Sequence, residues 1–331
     1  MKKIRIAQYG IGHNHGAEKM KAFRKFPELF EVVGVCEPDE AWRAKRQNDP
    51  AYEGLTWLTE EELFSMTDLD AVSVETDVKD LNKGALMCVQ HGWHIHMDKP
   101  AGEKLEEFAE ILSIAKEKKL IVQMGYMYRY NPVIRHAIDL AKSGELGEIF
   151  EIDTQMSTAH PVEYRKWLTQ FGGSGPMYIF GCHLLDLILQ VLGPDYTKIT
   201  SYVRKTKPEE ADLEDNALAV VEYPKATCTV RTSSVEINGY GRRQLVICGT
   251  KGTVEIKPLE RPSTISVSFA KDNPPTYQDS RQFLQIEKAE GRYDEQVQEF
   301  AECIRGEREN PYTYEHELAL QKATLEACGI L

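Results

Sequence analysis

Ile4-Arg5-Ile6-Ala7-Gln8-Tyr9-Gly10-Ile11-Gly12 is a short, largely apolar run that breaks on two glycines, after which Ala17, Met20, Ala22 and Phe23 recur at helical spacing. This order predicts a strand, a tight turn and a helix. In a dinucleotide fold such glycines let backbone amides approach a pyrophosphate, whose charge also favours a helix N-terminus. The candidate cofactor loop is therefore Gly10, Ile11, Gly12, His13, Asn14 and His15. The third glycine of the usual spacing would fall at His15, and Gly16 sits one place late, so the helix entry departs slightly from the pattern.

Working outward, the run 32–36 ends at Glu37, about twenty residues past the turn, where a carboxylate accepts ribose hydroxyls. An acid there repels a 2′-phosphate, which favours NAD over NADP, although Arg43, Lys45 and Arg46 follow closely. A third strand over 70–74 ends at Glu75-Thr76-Asp77, followed by a helix that stops at Gly92. The strand 94–97 then delivers Asp98-Lys99-Pro100, and a helix from Leu105 leads to a strand over 120–125. Repeated strand–helix alternation predicts a doubly wound parallel sheet. Thr76, Asp98 and Lys99 stand at its strand ends, where such sheets bind ligands. The pairs His13/His15 and His94/His96 invite a metal reading, but no acid or thiol cluster at ligand spacing accompanies them. No metal is expected.

The chain has 331 residues, enough for two domains with separate apolar centres. A net charge of −12 disfavours nucleic acid and anionic membranes as partners. Seven scattered cysteines without a Cys-x-x-Cys pair fit reduced, mostly buried thiols and a cytoplasmic setting. No secretory apolar segment precedes Gly10, and the most apolar run, 184–192, carries Asp186 and Gln190, so no membrane span is expected.

Beyond residue 125, Asn131 before Pro132 marks a helix start, and a long strand over 148–156 follows. The next loop carries His160, Tyr164, Arg165, Lys166 and Trp167, side chains able to bind hydroxyls or stack on a sugar ring. Met177, Phe180, Leu184, Leu187 and Val191 then form a buried helical stripe, with His183 and Asp186 beside it and three residues apart. From Thr197 onward, short β-rich segments predict one antiparallel sheet, with exposed connections over 205–215 and 272–275. Residues 293–304 and 314–327 close the chain as helices without chemistry of their own.

The glycine turn, Glu37, Asp98-Lys99-Pro100 and Gly181-Cys182-His183-Leu184-Leu185-Asp186 together resemble the glucose-fructose oxidoreductase / inositol dehydrogenase / rhizopine-catabolism (Gfo/Idh/MocA) family. Tyr128-Arg129-Tyr130-Asn131-Pro132 looks like the family's entry into its second domain. The resemblance implies an α/β chain: a Rossmann domain over 1–125, and over 126–331 an α/β domain with a large, mostly antiparallel open sheet for substrate binding and assembly as a homodimer or homotetramer. It implies hydride transfer between NAD(H) and a secondary alcohol or ketone of a sugar or polyol. Lys99 matches the family's active-site lysine, although the family usually has Glu before it rather than Asp98. His183 matches its catalytic histidine, and Tyr128, Arg129, Tyr164 and Trp167 are candidate substrate contacts. The family's dehydrogenases often carry an aspartate one turn before the histidine, where this chain has Ile179. Either Asp186, Tyr178 or Lys99 stands in, or the chemistry differs. The alternative is an NAD-assisted glycoside-cleaving enzyme or lyase working through a transient keto-sugar, and a non-catalytic nucleotide-binding scaffold is a third reading.

Overall fold

The computed structural model describes residues 2–260, 262–270, 281–287 and 290–331, so the connection expected at 272–275 lies outside the described residues. The chain forms two compact units: Met1–Met127 with Glu290–Leu318, and Tyr128–Ala289 with Ala319–Leu331. The segment Glu290–Leu318, which the sequence reading placed in the second domain, thus packs with the first. Its helix Asp294–Ile304 buries Val297 and Phe300, Gln296 Nε2 donates to the Met124 carbonyl (2.9 Å), and Gln123 Nε2 donates to the Gln296 carbonyl (3.0 Å). An amphipathic stripe says that a helix is covered, but not by what.

The first unit runs β1 (Ile4–Tyr9), α1 (Gly16–Lys25), β2 (Phe30–Cys36), α2 (Glu40–Arg46), β3 (Trp57–Leu58), α3 (Glu60–Phe64), β4 (Ala71–Val74), α4 (Leu81–Gln90), β5 (His94–Met97), α5 (Leu105–Lys118) and β6 (Val122–Met124). All six strands are parallel, in the order β3-β2-β1-β4-β5-β6. Strands β4 and β6 are buried at every position, as expected of a sheet covered on both faces. The strand order reverses between β1 and β4, which opens a crevice at their C-terminal ends.

Gly10 closes the floor of that crevice. It has φ +87°, and a Cβ there would lie 2.4 Å from the Thr76 amide nitrogen. Gly10→Ala is expected to cost about 1–3 kcal/mol from backbone strain alone, with the clash added. Urea unfolding measures it, and an unchanged midpoint would show that β1 and β4 part more easily than their packing implies.

The second unit contains α6 (Pro132–Lys142), β7 (Ile149–Ser157), α7 (Val162–Leu168), α8 (Cys182–Leu192), β8 (Lys198–Arg204), β9 (Asn216–Glu222), β10 (Thr227–Ser233), α9 (Gly239–Arg242), β11 (Gln244–Gly249), β12 (Gly252–Ile256), β13 (Thr264–Phe269) and β14 (Gln282–Gln285). Its sheet runs β14-β13-β12-β11-β7-β10-β9-β8, antiparallel except for the β7–β10 pair. Asn131 Oδ1 accepts from the amides of Val133 and Ile134 and so caps α6. Buried and half-exposed residues alternate along β9, so one face of the sheet is packed and the other open.

Three local expectations change. The loop expected around Tyr164 contains α7, whose Arg165 and Leu168 turn inward. The connection over 205–215 is exposed at 205–209 as expected, but its end is anchored by buried Asp215, whose carboxylate accepts from the amides of Thr206 (2.8 Å) and Lys207 (3.0 Å). Helix α8 is entered through a π turn over Met177–Gly181 and is buried on all sides from Cys182 to Leu189. His183 and Asp186 are therefore interior rather than beside a stripe. Among the described residues, no helix is long and apolar enough to cross a membrane.

Candidate functional site

The loop after β1 spends most of its amides on the protein. Gly10 N–H donates to the Cys36 carbonyl (2.7 Å), Ile11 N–H to Glu37 Oε2 (2.6 Å) and His13 N–H to the Glu75 carbonyl (2.9 Å). The amides of Gly12 and Asn14 donate to no described residue, and they lie at the N-terminal end of α1. Two open amides at the positive end of a helix dipole suit an anion such as a pyrophosphate. Arg46 secures this loop from α2: Nη1 donates to the carbonyls of Ile11 (3.0 Å) and His13 (2.6 Å), and Nη2 to Asn14 Oδ1 (2.8 Å).

Beside the loop is a cavity of about 390 Å³ walled by Glu37, Asp39, Trp42, Thr76, Asp80 and Lys83. That lies within the usual span of small-molecule sites, about 300–1,000 Å³. Glu37 is buried, and its Oε1 accepts from the Asp39 amide (2.8 Å). Burial pushes its carboxyl up, against the pull of these two amide bonds. Each carboxylate oxygen keeps a second lone pair, so the fixed acid can still accept a ribose hydroxyl. Of the nearby bases, Arg43 lies over the Trp57 ring, and Lys45 and Arg46 lie over Trp42, itself a wall of the cavity.

Beneath the loop is a buried polar cluster. Asp98 is fully buried: its Oδ1 accepts from the Lys99 amide (2.8 Å), while Oδ2 faces His15 Nδ1 (3.1 Å), His13 Nδ1 (3.3 Å) and Lys19 Nζ (3.8 Å). Lys19 Nζ also meets His96 Nε2, and His96 Nδ1 meets Gln123 Oε1 (2.9 Å). Burial lowers His13 and His96 to about 3 and lowers His15 as well, so all three are neutral imidazoles near neutral pH. Burial opposes a charge on Asp98, but His13, His15 and the Lys19 ammonium outweigh it and hold the carboxyl well below its usual range. Burial and the Asp98 charge push Glu75 well up.

In the second unit, His183 is buried with its ring 5.4 Å from that of Tyr128. Tyr128 Oη donates to Glu260 Oε2 (2.7 Å), which also accepts from Arg243 Nη1 (2.7 Å). Arg129 Nε donates to both oxygens of Asp186 (3.0 Å each), Nη2 adds a bond of 2.7 Å to Oδ1, and Gln190 Nε2 donates to Oδ2 (2.9 Å). A half-exposed aromatic ladder stands nearby in the sequence. His160 stacks on Tyr164 (4.3 Å) and on Phe180 (5.2 Å), and Tyr164 leans on Trp167 (5.2 Å). Burial, with the charges of Arg243 and Arg165, lowers His160 to about 4 and keeps this ladder uncharged.

Two family models match this chain. The one described as oxidoreductase family, NAD-binding Rossmann fold, covers residues 4–126, and that of the GFO/IDH/MocA C-terminal domain covers residues 134–255. The chain belongs to the Gfo/Idh/MocA family. It is 24% identical to the uncharacterized oxidoreductase YrbE of Bacillus subtilis over 66% of this chain and 63% of that protein. It is 27% identical to scyllo-inositol 2-dehydrogenase (NAD(+)) of the same organism, over 72% of this chain and 68% of that one. In fold it matches levoglucosan dehydrogenase solved with NADH and levoglucosan, with a TM-score of 0.83 at 16% identity over 99% of this chain and 98% of that chain.

As a Gfo/Idh/MocA chain, it carries an NAD-binding Rossmann domain. The structure brings Gly10, Ile11, Gly12, His13, Asn14 and His15 together with Glu37 and Thr76 around the crevice, with Thr76 backing Gly10. Lys99 is buried directly after Asp98, which faces His13 and His15. Of the substrate-side candidates, Arg129 is fully buried and bonded to Asp186, and Asp186 is also bonded to Gln190. Tyr178 is buried against Phe171. The sequence reading missed Arg46, Phe180, Glu260 and Arg243. Only Arg46 carried a signal, as one of three bases close after Glu37.

Proposed function

We propose that this chain is an NAD-dependent dehydrogenase that oxidises a secondary alcohol of a sugar, polyol or sugar derivative, or reduces the matching ketone. The observation that carries the reading is the nucleotide cradle of the first unit: two open amides at the start of α1 beside an acid-walled cavity. Bound NAD supplies the hydride acceptor. Lys99 orients the reacting hydroxyl, and His183 takes its proton. The ladder of His160, Tyr164, Trp167 and Phe180 offers apolar ring faces to the C–H side of a cyclic polyol. The names of two relatives, scyllo-inositol 2-dehydrogenase and levoglucosan dehydrogenase, point to the same substrate class. Seven free cysteines, six of them buried, suit a reducing cytoplasm, and the open sheet face suits a second copy of the chain in a homodimer or homotetramer.

NAD is the proposed cofactor in preference to NADP, because Glu37, Asp39 and Asp80 wall the cavity and a 2′-phosphate would meet their charge. Glu37→Ala is expected to weaken NAD binding by about tenfold, the worth of one charge-assisted hydrogen bond, and to narrow the preference over NADP. Calorimetric titration of both cofactors reads this, and an unaltered ratio would remove Glu37 from cofactor choice.

The direct assay incubates the protein with NAD and a panel of polyols, free sugars and glycosides while following NADH and substrate loss. Substrate-dependent NADH supports the dehydrogenase. Glycoside cleavage without net NADH would replace it with the cofactor-recycling reading, which buried, apolar Ile179 favours. Inactivity across the panel would leave a nucleotide-binding scaffold.

A further inference from the structure

We propose that His13, His15 and Asp98 form a binding site for a divalent transition metal of the zinc class, with Glu75 as fourth ligand. The three ligand atoms, His13 Nδ1, His15 Nδ1 and Asp98 Oδ2, lie within 4.8 Å of one another. The two measured edges from Asp98 Oδ2 are 3.3 and 3.1 Å. A tetrahedral ion with bonds of about 2.0 Å to N and O ligands sets its ligands about 3.3 Å apart. The two edges from Asp98 Oδ2 thus match such a shell.

Two further observations favour a cation at this cluster. His13 Nδ1 faces the Asp98 carboxylate oxygen at 3.3 Å, and a bound ion would take its one lone pair in place of the long 3.3 Å contact from the His15 amide. Glu75 is fully buried, and its Oε2, 3.9 Å from His13 Nδ1, has no hydrogen-bond partner. A buried carboxyl oxygen that pairs with no backbone or side-chain donor is costly, and ligation relieves it. Lys19 supplies one positive charge at 3.8 Å, but its ammonium is shared with His96 and the Tyr293 ring. The His15 side chain keeps 22% exposure, which gives the site an entry. Neutral imidazoles and a carboxylate are the hard-to-borderline donors that suit Zn(II), Co(II) or Ni(II). A metal here would pin the cofactor loop to the strand end that carries Lys99.

The test uses the whole chain, stripped with chelator and then given Zn(II) or Co(II). About one ion per chain should survive gel filtration, and His13→Ala and Asp98→Asn should each weaken binding by at least about tenfold. Bound Co(II) should show the intense visible bands of four-coordinate N/O ligation. Absence of retained metal, or retention unchanged in both variants, overturns the site. If a variant does not fold, the wild-type cobalt spectrum decides alone: thiolate charge-transfer bands, or the faint bands of an octahedral aquo ion, overturn it.

Discussion

Lys99→Ala and His183→Ala are each expected to lower kcat/KM for alcohol oxidation by about 10²–10⁴-fold, the usual worth of a positioned proton-transfer group, while NAD still binds. The cofactor contacts assigned above come from the loop after β1, Glu37 and Thr76, so neither substitution removes them. If both side chains serve one proton transfer, the double variant should be scarcely slower than the worse single one, because groups acting as a unit lose their effect together. Multiplicative losses would assign them to separate steps. A change confined to KM would demote either residue to substrate binding.

Asp186→Ala is expected to destabilise the second unit by about 3–5 kcal/mol, the cost of stranding a buried charge. Arg129 is fully buried and directs three hydrogen bonds at Asp186, so removing the acid takes a charge partner and three bonds from a guanidinium in a dry interior. Replacing both residues by apolar ones of similar volume, Arg129→Met with Asp186→Leu, should recover much of that loss. Urea unfolding followed by circular dichroism separates the two cases. A single-variant loss below about 1 kcal/mol would place the pair in the range of solvent-exposed ion pairs and contradict its burial.

Local periodicity carried the first unit well. The strand 94–97 and the start of the helix at Leu105 stand where the apolar pattern placed them, because a strand buried on both faces and an amphipathic helix each leave a local signature. Two-residue β3 leaves none. Helix α7 was hidden because its polar and aromatic residues look like a ligand-binding loop, and only its inward turn at Arg165 and Leu168 reveals it. At the site, Gly10, Glu37 and Lys99 were legible through their positions at strand ends. The Asp98 cluster was not: His15 and Asp98 are 83 residues apart, and their meeting depends on β1 and β5 both flanking β4 in the finished sheet. The expectation of no metal rested on spacing along the chain, whereas the proposed site depends on a carboxylate that only the fold brings to the histidines. Arg129 was a candidate through the family-like segment 128–132 and Asp186 through its spacing from His183, but neither signal told that the two side chains pair with each other in the interior.

Calorimetric titration of NAD into the purified chain tests the nucleotide cradle, on which the whole functional reading stands. Saturable binding with one NAD per chain, weakened by Arg46→Ala through release of the loop held at Ile11, His13 and Asn14, is the predicted result. Titration that never saturates, or binding indifferent to both Arg46 and Glu37, would contradict it.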